Sequence, residues 1–503
     1  MSHLSRRALI KAGLLSASGA ALSHAVPMWA QGLGPMTSTS LDAATRRSAG
    51  FPVPASQWHG DSSVGAALRA GTAATDALTA AVQQSLGTVQ GGPRLQHDRD
   101  GSTALQPDGQ RVLPRPPLAD AATRLRARFP HLRRHFAFEY YPWYSTEPMR
   151  HWNEAGHRPP ASIASTMMPA LGIYHSGQAS IIEQHARWIA DAGVGTIALS
   201  WWGRDSYMEA WVPLIMDVMR AHDIHVTFHL EPYRDDRAHF YADDVLYLLR
   251  EYGERRRWEN FLLLERADGS AAPVFKSFRT ILPRTVIDCL GRVQIVPDYT
   301  EDAIWHRQVD TLRETLQTTF PGLTLLADSL DIGRTQAGGF DGIAIYDSYV
   351  RPATWASAAR DFGANDLLYS FALNCGFSGY LPIVPRGECD IPLPFEPPVG
   401  VVDWNSDTSR LLAEEASRDR VLDSLETTLA LQADPALFNA QSGFFLTYVN
   451  TFNEWHEGTS FEPAKHRRDL TAQERAHGYH NPDNGAWRLE LLQALLRPLV
   501  SHR

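Results

Sequence analysis

The densest group of chemically capable residues is the run FNEWHEGTSFEP, which carries Asn453, Glu454, Trp455, His456, Glu457 and Glu462. Glu454 and Glu457 lie three residues apart on either side of a tryptophan and a histidine, and surface charge explains such a pair poorly. Two carboxyl groups close together suit glycosidic bond cleavage: one protonates the leaving oxygen while the other assists at the sugar ring. Further candidates sit at the ends of other apolar runs: Glu139, Tyr140, Tyr141 and Trp143, then Trp201 and Trp202, then His229, Glu231 and Tyr233, and finally Tyr346. Flat aromatic faces with a polar edge suit sugar rings, so this set reads as a substrate-binding wall. For any one acid the competing explanation is an ion pair or a helix cap, and one member of each aromatic pair is expected in the core.

Other chemistries lack their signatures. No HExxH, P-loop or GxSxG pattern occurs, which removes the zincin, nucleotide and α/β-hydrolase readings. His225 and His229, four apart on a strand, are separated by about 13 Å, too far to share an ion. No metal and no cofactor is expected. With 47 Lys plus Arg against 56 Asp plus Glu and a net charge of -9, the chain is not built to neutralise a phosphate backbone, so nucleic acid is not an expected partner. The clusters Arg124 to Arg134 and Arg255 to Arg257 read as solvated helix faces. Cys289, Cys375 and Cys389 are too few for a disulfide framework, although a single Cys375–Cys389 bridge is allowed.

These side chains need a scaffold. From residue 131 the sequence alternates apolar runs of strand length, at 135–144, 195–203, 225–233, 272–278, 323–330, 341–349, 367–375 and 444–455, with helical periodicity at 180–193, 207–222, 238–253, 304–319, 353–362, 409–433 and 486–499. The runs are nearly continuous in hydrophobicity, as strands buried on both faces require. Eight such strands with intervening helices predict a (β/α)8 TIM-type barrel with long loops, whose site is assembled at the carboxyl ends of the strands. The short gap between the fifth and sixth runs is the weakest place for a regular helix.

Ahead of the barrel, residues 1–30 combine a basic start, the pair Arg6-Arg7 and a modest Ala/Leu stretch. They resemble a twin-arginine export signal, which implies a periplasmic or secreted protein. Residues 31–130 are rich in Ala, Ser, Thr and Gly and read as a linker-like or partly helical extension; residues 131–503 form the barrel domain. No later apolar run is long enough for a stable membrane span.

The ordered series EYYPWY, LGIYHSG, SWWG, HLEPY, GGFDGIAIY and FNEWHEGTSFEPA, spread from about residue 135 to 464, resembles glycoside hydrolase family 99, the retaining endo-α-1,2-mannosidases and endo-α-1,2-mannanases. The resemblance implies a metal-independent (β/α)8 barrel acting on an oligo- or polysaccharide. It implies that Glu457 is the general acid/base and that Glu454 takes the proton of the substrate's own 2-hydroxyl, which attacks C1 to give a 1,2-anhydro sugar. Tyr140, Tyr141, Trp201, Trp202, His229, Glu231, Tyr233 and Tyr346 match the family's binding positions, with Asn453 and Trp455 inside the catalytic motif.

The pattern also departs from the family. Ser145-Thr146-Glu147-Pro148 replaces a Gly-Asn-Pro-like turn, APVFKSF lacks a Tyr-rich ending, and the loop after the seventh run only faintly matches. The expectation is therefore a retaining endo-acting hydrolase of α-mannosidic linkages, possessed of its own subsites. The alternatives are a hydrolase of a different α-linked glycan and a non-hydrolytic glycan-binding barrel.

Overall fold

The computed structural model describes residues 94–97, 103–106, 116–256, 258–384, 393–399 and 402–501. The export-signal reading of residues 1–30 lies outside them, as does most of the extension. Eight parallel strands form the barrel: β1 Phe136–Tyr140, β2 Thr196–Trp201, β3 His225–Leu230, β4 Ala271–Ser277, β5 Thr324–Ala327, β6 Gly342–Ile345, β7 Leu368–Phe371 and β8 Thr447–Asn450. From β1 to β7 each is laddered to the next, and β8 is laddered to β1. The eight expected strands are all present. A short antiparallel strand, Leu263–Glu265, pairs with the start of β4 and was not foreseen.

Closure falls to a divided strand. β7 pairs only with β6; beyond Ala372 the chain resumes as Leu373–Asn374, and this piece pairs with β8. Side chains fill the ladder where β7 and β8 do not meet. Tyr369 donates its N–H to Asn439 Oδ1 at 3.1 Å and accepts from Asn439 Nδ2 at 2.7 Å. Leu446 O accepts from Ser370 Oγ at 2.8 Å and Gln432 Nε2 at 2.9 Å. Buried backbone groups are thereby satisfied without a strand partner.

The outer layer follows the expected helices: α1 Ala179–Asp191, α2 Val212–Ala221, α3 Tyr241–Leu248, α4 Asp302–Leu316, α5 Ile332–Ala337, α6 Pro352–Gly363, α7 Asp407–Ala433 and α8 Trp487–Val500. The tight β5–β6 crossover is met by the six-residue α5, capped by Asp331 accepting from Arg334 N at 3.1 Å. The outer layer begins earlier than residue 131. Helix Pro116–Arg128 buries Leu118, Ala121, Ala122 and Leu125 in the main core cluster. Arg126 donates to the carbonyls of Pro498 and Leu499, each at 3.1 Å, and Arg124 to that of Ala433 at 3.3 Å. These arginines therefore close the carboxyl ends of α8 and α7, where cations are favoured. They are not merely a solvated face.

Strand parity divides the core. Phe136, Phe138, Ile197, Leu199, Val226 and Phe228 pack outward against the helices. Ala137, Ala198, Val274, Leu326, Ala344, Leu368 and Tyr448 fill the barrel floor. Two residues further along the same inward faces stand Glu139, Ser200, Lys276 and Tyr346, so the interior turns polar toward the carboxyl ends. Cys375 is a free, buried thiol, which rules out the allowed Cys375–Cys389 bridge. Since Leu492 on α8 is completely buried, Leu492→Ala is expected to cost about 2–5 kcal/mol. Chemical denaturation measures that loss.

Candidate active site

The polar layer above the barrel floor is fully buried. Lys276 Nζ ion-pairs with Glu139 Oε1, with neither side chain exposed, and lies 4.7 Å from the Tyr448 ring centroid and 5.2 Å from that of Tyr346. His229 Nδ1 is 3.9 Å from Glu139 Oε1 and 3.7 Å from Glu231 Oε1. Ser200 Oγ donates to Glu231 Oε1 at 2.9 Å and accepts from Trp202 Nε1 at 3.0 Å. A connected chain thus runs from the β2 mouth to the barrel axis.

The motif after β8 closes this layer. Glu454 N donates to Thr451 Oγ1 at 2.9 Å, and Glu457 N to the carbonyl of Glu454 at 3.3 Å, so one tight turn holds both acids. Tyr346 OH donates to Glu457 Oε2 at 3.1 Å. Glu454 Oε1 lies 3.4 Å from His456 Nδ1. The loop after β7 locks the turn through Ser378 N to the carbonyl of Glu457 at 2.9 Å and Tyr380 N to that of His456 at 3.1 Å. Gly458, at φ +63°, sits where any Cβ would collide with the carbonyl of Ser378, so this approach requires glycine.

The expected binding residues divide by face. Tyr141, Trp202, His229, Glu231 and Tyr346 gather at the mouth or in the polar layer beneath it. Tyr140, Trp201 and Tyr233 do not. Tyr140 OH bonds His185 Nδ1 of α1 at 3.0 Å. Trp201 Nε1 donates to Glu209 Oε2 at 2.7 Å and Tyr233 OH to Asp244 Oδ2 at 2.5 Å. All three pack in the layer between strands and helices because they face outward or lie past the strand end. Asn453 and Trp455 turn out to be scaffolding: Asn453 bonds both the N–H and the carbonyl of Tyr141, at 2.8 and 3.0 Å. Trp455 Nε1 donates to Glu462 Oε2 at 2.9 Å, and Glu462 also accepts from Tyr174 OH at 2.7 Å. Glu462 thus serves this buried junction.

Several contributors were not singled out from sequence. Lys276 shares the inward parity of Glu139, a readable signal. Tyr144 accepts from Trp455 N at 3.0 Å, and burial followed by the charge of Glu454 pushes its hydroxyl well above the usual range. His151 and Glu154, from the loop after β1, are joined at 2.7 Å, and His456 Nε2 meets the carbonyl of His151 at 2.8 Å. The donor atoms of His151, Glu154 and His456 lie within 4.8 Å of one another, spacing a metal could use. Burial disfavours a charged His456, but Glu154, Glu454 and the His151 carbonyl outweigh it and push its pKa up to about 9.

Comparison with known proteins bears on this geometry. The Glycosyl hydrolase family 99 model matches residues 130–261. A mouse glycoprotein endo-alpha-1,2-mannosidase is 26% identical over 397 residues, covering 73% of this chain and 74% of the relative. A zebrafish glycoprotein endo-alpha-1,2-mannosidase-like protein is 25% identical over 378 residues, covering 69% and 74%. The solved structure of a family 99 endo-alpha-mannosidase from Bacteroides thetaiotaomicron superposes with a TM-score of 0.51 at 20% identity, over 73% of this chain and 97% of that one, which supports the barrel fold.

Two outcomes follow from the buried motif. Asn453→Ala strands both Tyr141 backbone groups at roughly 1–3 kcal/mol each, seen as a lowered Tm. His456 is raised from 6.5 to about 9, so its stabilising share is complete below pH 6.5 and disappears as pH rises through 9. Thermal melts across that window are expected to show the decline, and His456→Asn to flatten it.

Proposed function

The chain belongs to glycoside hydrolase family 99, and from that premise we propose that it is a retaining endo-acting hydrolase of α-mannosidic linkages in mannan or mannose-containing glycans. The observation that carries this reading is the pair Glu454 and Glu457, fully buried in one turn at the barrel mouth, each beside a different polar partner. Differing surroundings are what separates a base from an acid.

In the proposed course, Glu454 takes the proton of the substrate's 2-hydroxyl as O2 attacks C1. The C1–O bond to the leaving sugar breaks while Glu457 gives that oxygen its proton. The product is a 1,2-anhydro sugar. Glu457, now a carboxylate, takes a proton from water, whose oxygen opens the anhydro ring at C1, and O2 regains its proton from Glu454. Two displacements at C1 give net retention, without an enzyme carboxylate bonding to the sugar. Tyr346 orients Glu457, while the part-exposed Trp202 offers aromatic surface to sugar rings. The Arg6-Arg7 signal supports a substrate met outside the cytoplasm.

Incubation with a panel of α-mannans and α-mannosyl or α-glucosyl oligosaccharides, followed by NMR of the released anomers, tests this. Wild type is expected to release oligosaccharides of retained configuration, undiminished by chelators, and Glu457→Gln to lose about 100-fold or more in kcat. Inverted products overturn the anhydro-sugar course. Tight binding without cleavage favours a glycan-binding barrel, and cleavage confined to α-glucosides reassigns the substrate.

A further inference from the structure

The cluster at the rim of the mouth contains a proton that Glu454 and His456 must share. His456 Nε2 faces the carbonyl of His151 at 2.8 Å, an acceptor only, so this nitrogen carries hydrogen. His456 Nδ1 faces Glu454 Oε1 at 3.4 Å, and one further proton lies on one side or the other. If it sits on His456, Glu454 is a carboxylate able to act as a base. If it sits on Glu454, both groups are neutral and the base is lost. Burial alone favours the neutral pair, because low-dielectric surroundings penalise separated charge.

A third group decides the balance. Glu154 lies within 4.8 Å of His456 in this cluster and is itself bound by His151 Nδ1 at 2.7 Å. Its negative charge favours the imidazolium. Among the described residues, the other side chains ringed about His456 are Trp143, Tyr144 and Tyr380, whose rings lie 5.4–5.7 Å away and carry no positive charge. His151 is held low by burial, and His157 lies beyond Tyr380.

We infer that His456 is a positioning residue for Glu454 and that Glu154 fixes the shared proton on His456, keeping Glu454 ionised as the base. The inference rests on the proposed role of Glu454. Glu154 touches no reacting atom; it acts through the imidazole. Its removal transfers the proton to Glu454 over the range in which the pair retains one, so activity recovers only when rising pH strips that proton away.

The test compares wild type with Glu154→Gln, Glu154→Asp and His456→Gln, using kcat and KM against pH on an α-mannan. Glu154→Gln is expected to lower kcat at neutral pH roughly tenfold or more, with KM little changed, and to move the acid limb of the profile upward by about one unit. Glu154→Asp restores part of both. A loss of rate with an unmoved acid limb overturns the inference, because a merely structural role predicts that pattern. NMR of isotope-labelled histidine, assigned by the signal missing in His456→Gln, reads the proton directly and needs no substrate. Both ring nitrogens of His456 are expected to be protonated at pH 7 in wild type and only Nε2 in Glu154→Gln. A neutral ring in wild type, or one indifferent to Glu154→Gln, overturns the inference. If wild type cleaves no α-mannoside yet the ring behaves as expected, the reaction assignment fails while the proton's location stands.

Discussion

Every inward-pointing side chain of a closed barrel is withdrawn from water, and this constraint governs the molecule. On the barrel floor it is met by Ala137, Ala198, Val274 and Leu326. One layer higher the same faces carry charge, and each charged group there must be answered by another. Lys276 answers Glu139, Ser200 answers Glu231, Tyr346 answers Glu457, and His456 answers Glu454. An ion pair such as Lys276–Glu139 is a weak source of stability; it serves to orient groups that bulk water would otherwise disorder.

The turn that carries Glu454 and Glu457 is held from three sides. Asn453 fastens it to the end of β1, backbone bonds from Ser378 and Tyr380 fasten it to the loop after β7, and Glu462 with Tyr174 anchors Trp455 from below. The two acids therefore sit on groups that cannot move independently, which is the rigidity that the proposed chemistry requires.

Much of this was legible in the sequence, for physical reasons. Continuous apolar runs mark strands buried on both faces, so all eight strands and the major helices were readable. Strand parity, applied strictly, also separates inward Tyr141 and Trp202 from outward Tyr140 and Trp201. The runs near Asn453 and Trp455 were readable as important but not as scaffolding, because a buried amide looks the same in sequence whether it binds a sugar or a backbone. His151 and Glu154 were unreadable: they reach His456 through an irregular loop that has no periodicity to extrapolate. The arginines of helix Pro116–Arg128 were misjudged because their acceptors lie 309 and 372 residues away, beyond any local pattern.

The divided seventh strand carries a consequence of a different kind. Elsewhere around the barrel, pairing is between backbones and is indifferent to which apolar residue occupies a position. At the seam between β7 and β8 the connection is made by Ser370, Gln432 and Asn439. Closure there is encoded in side-chain identity. A substitution that preserves hydrophobic patterning would be tolerated at most strand positions, but at these three it would leave peptide groups stranded at the joint. The cylinder is thus generic in its walls and specific in its clasp, and that clasp lies beside the strand from which the turn of Glu454 and Glu457 hangs.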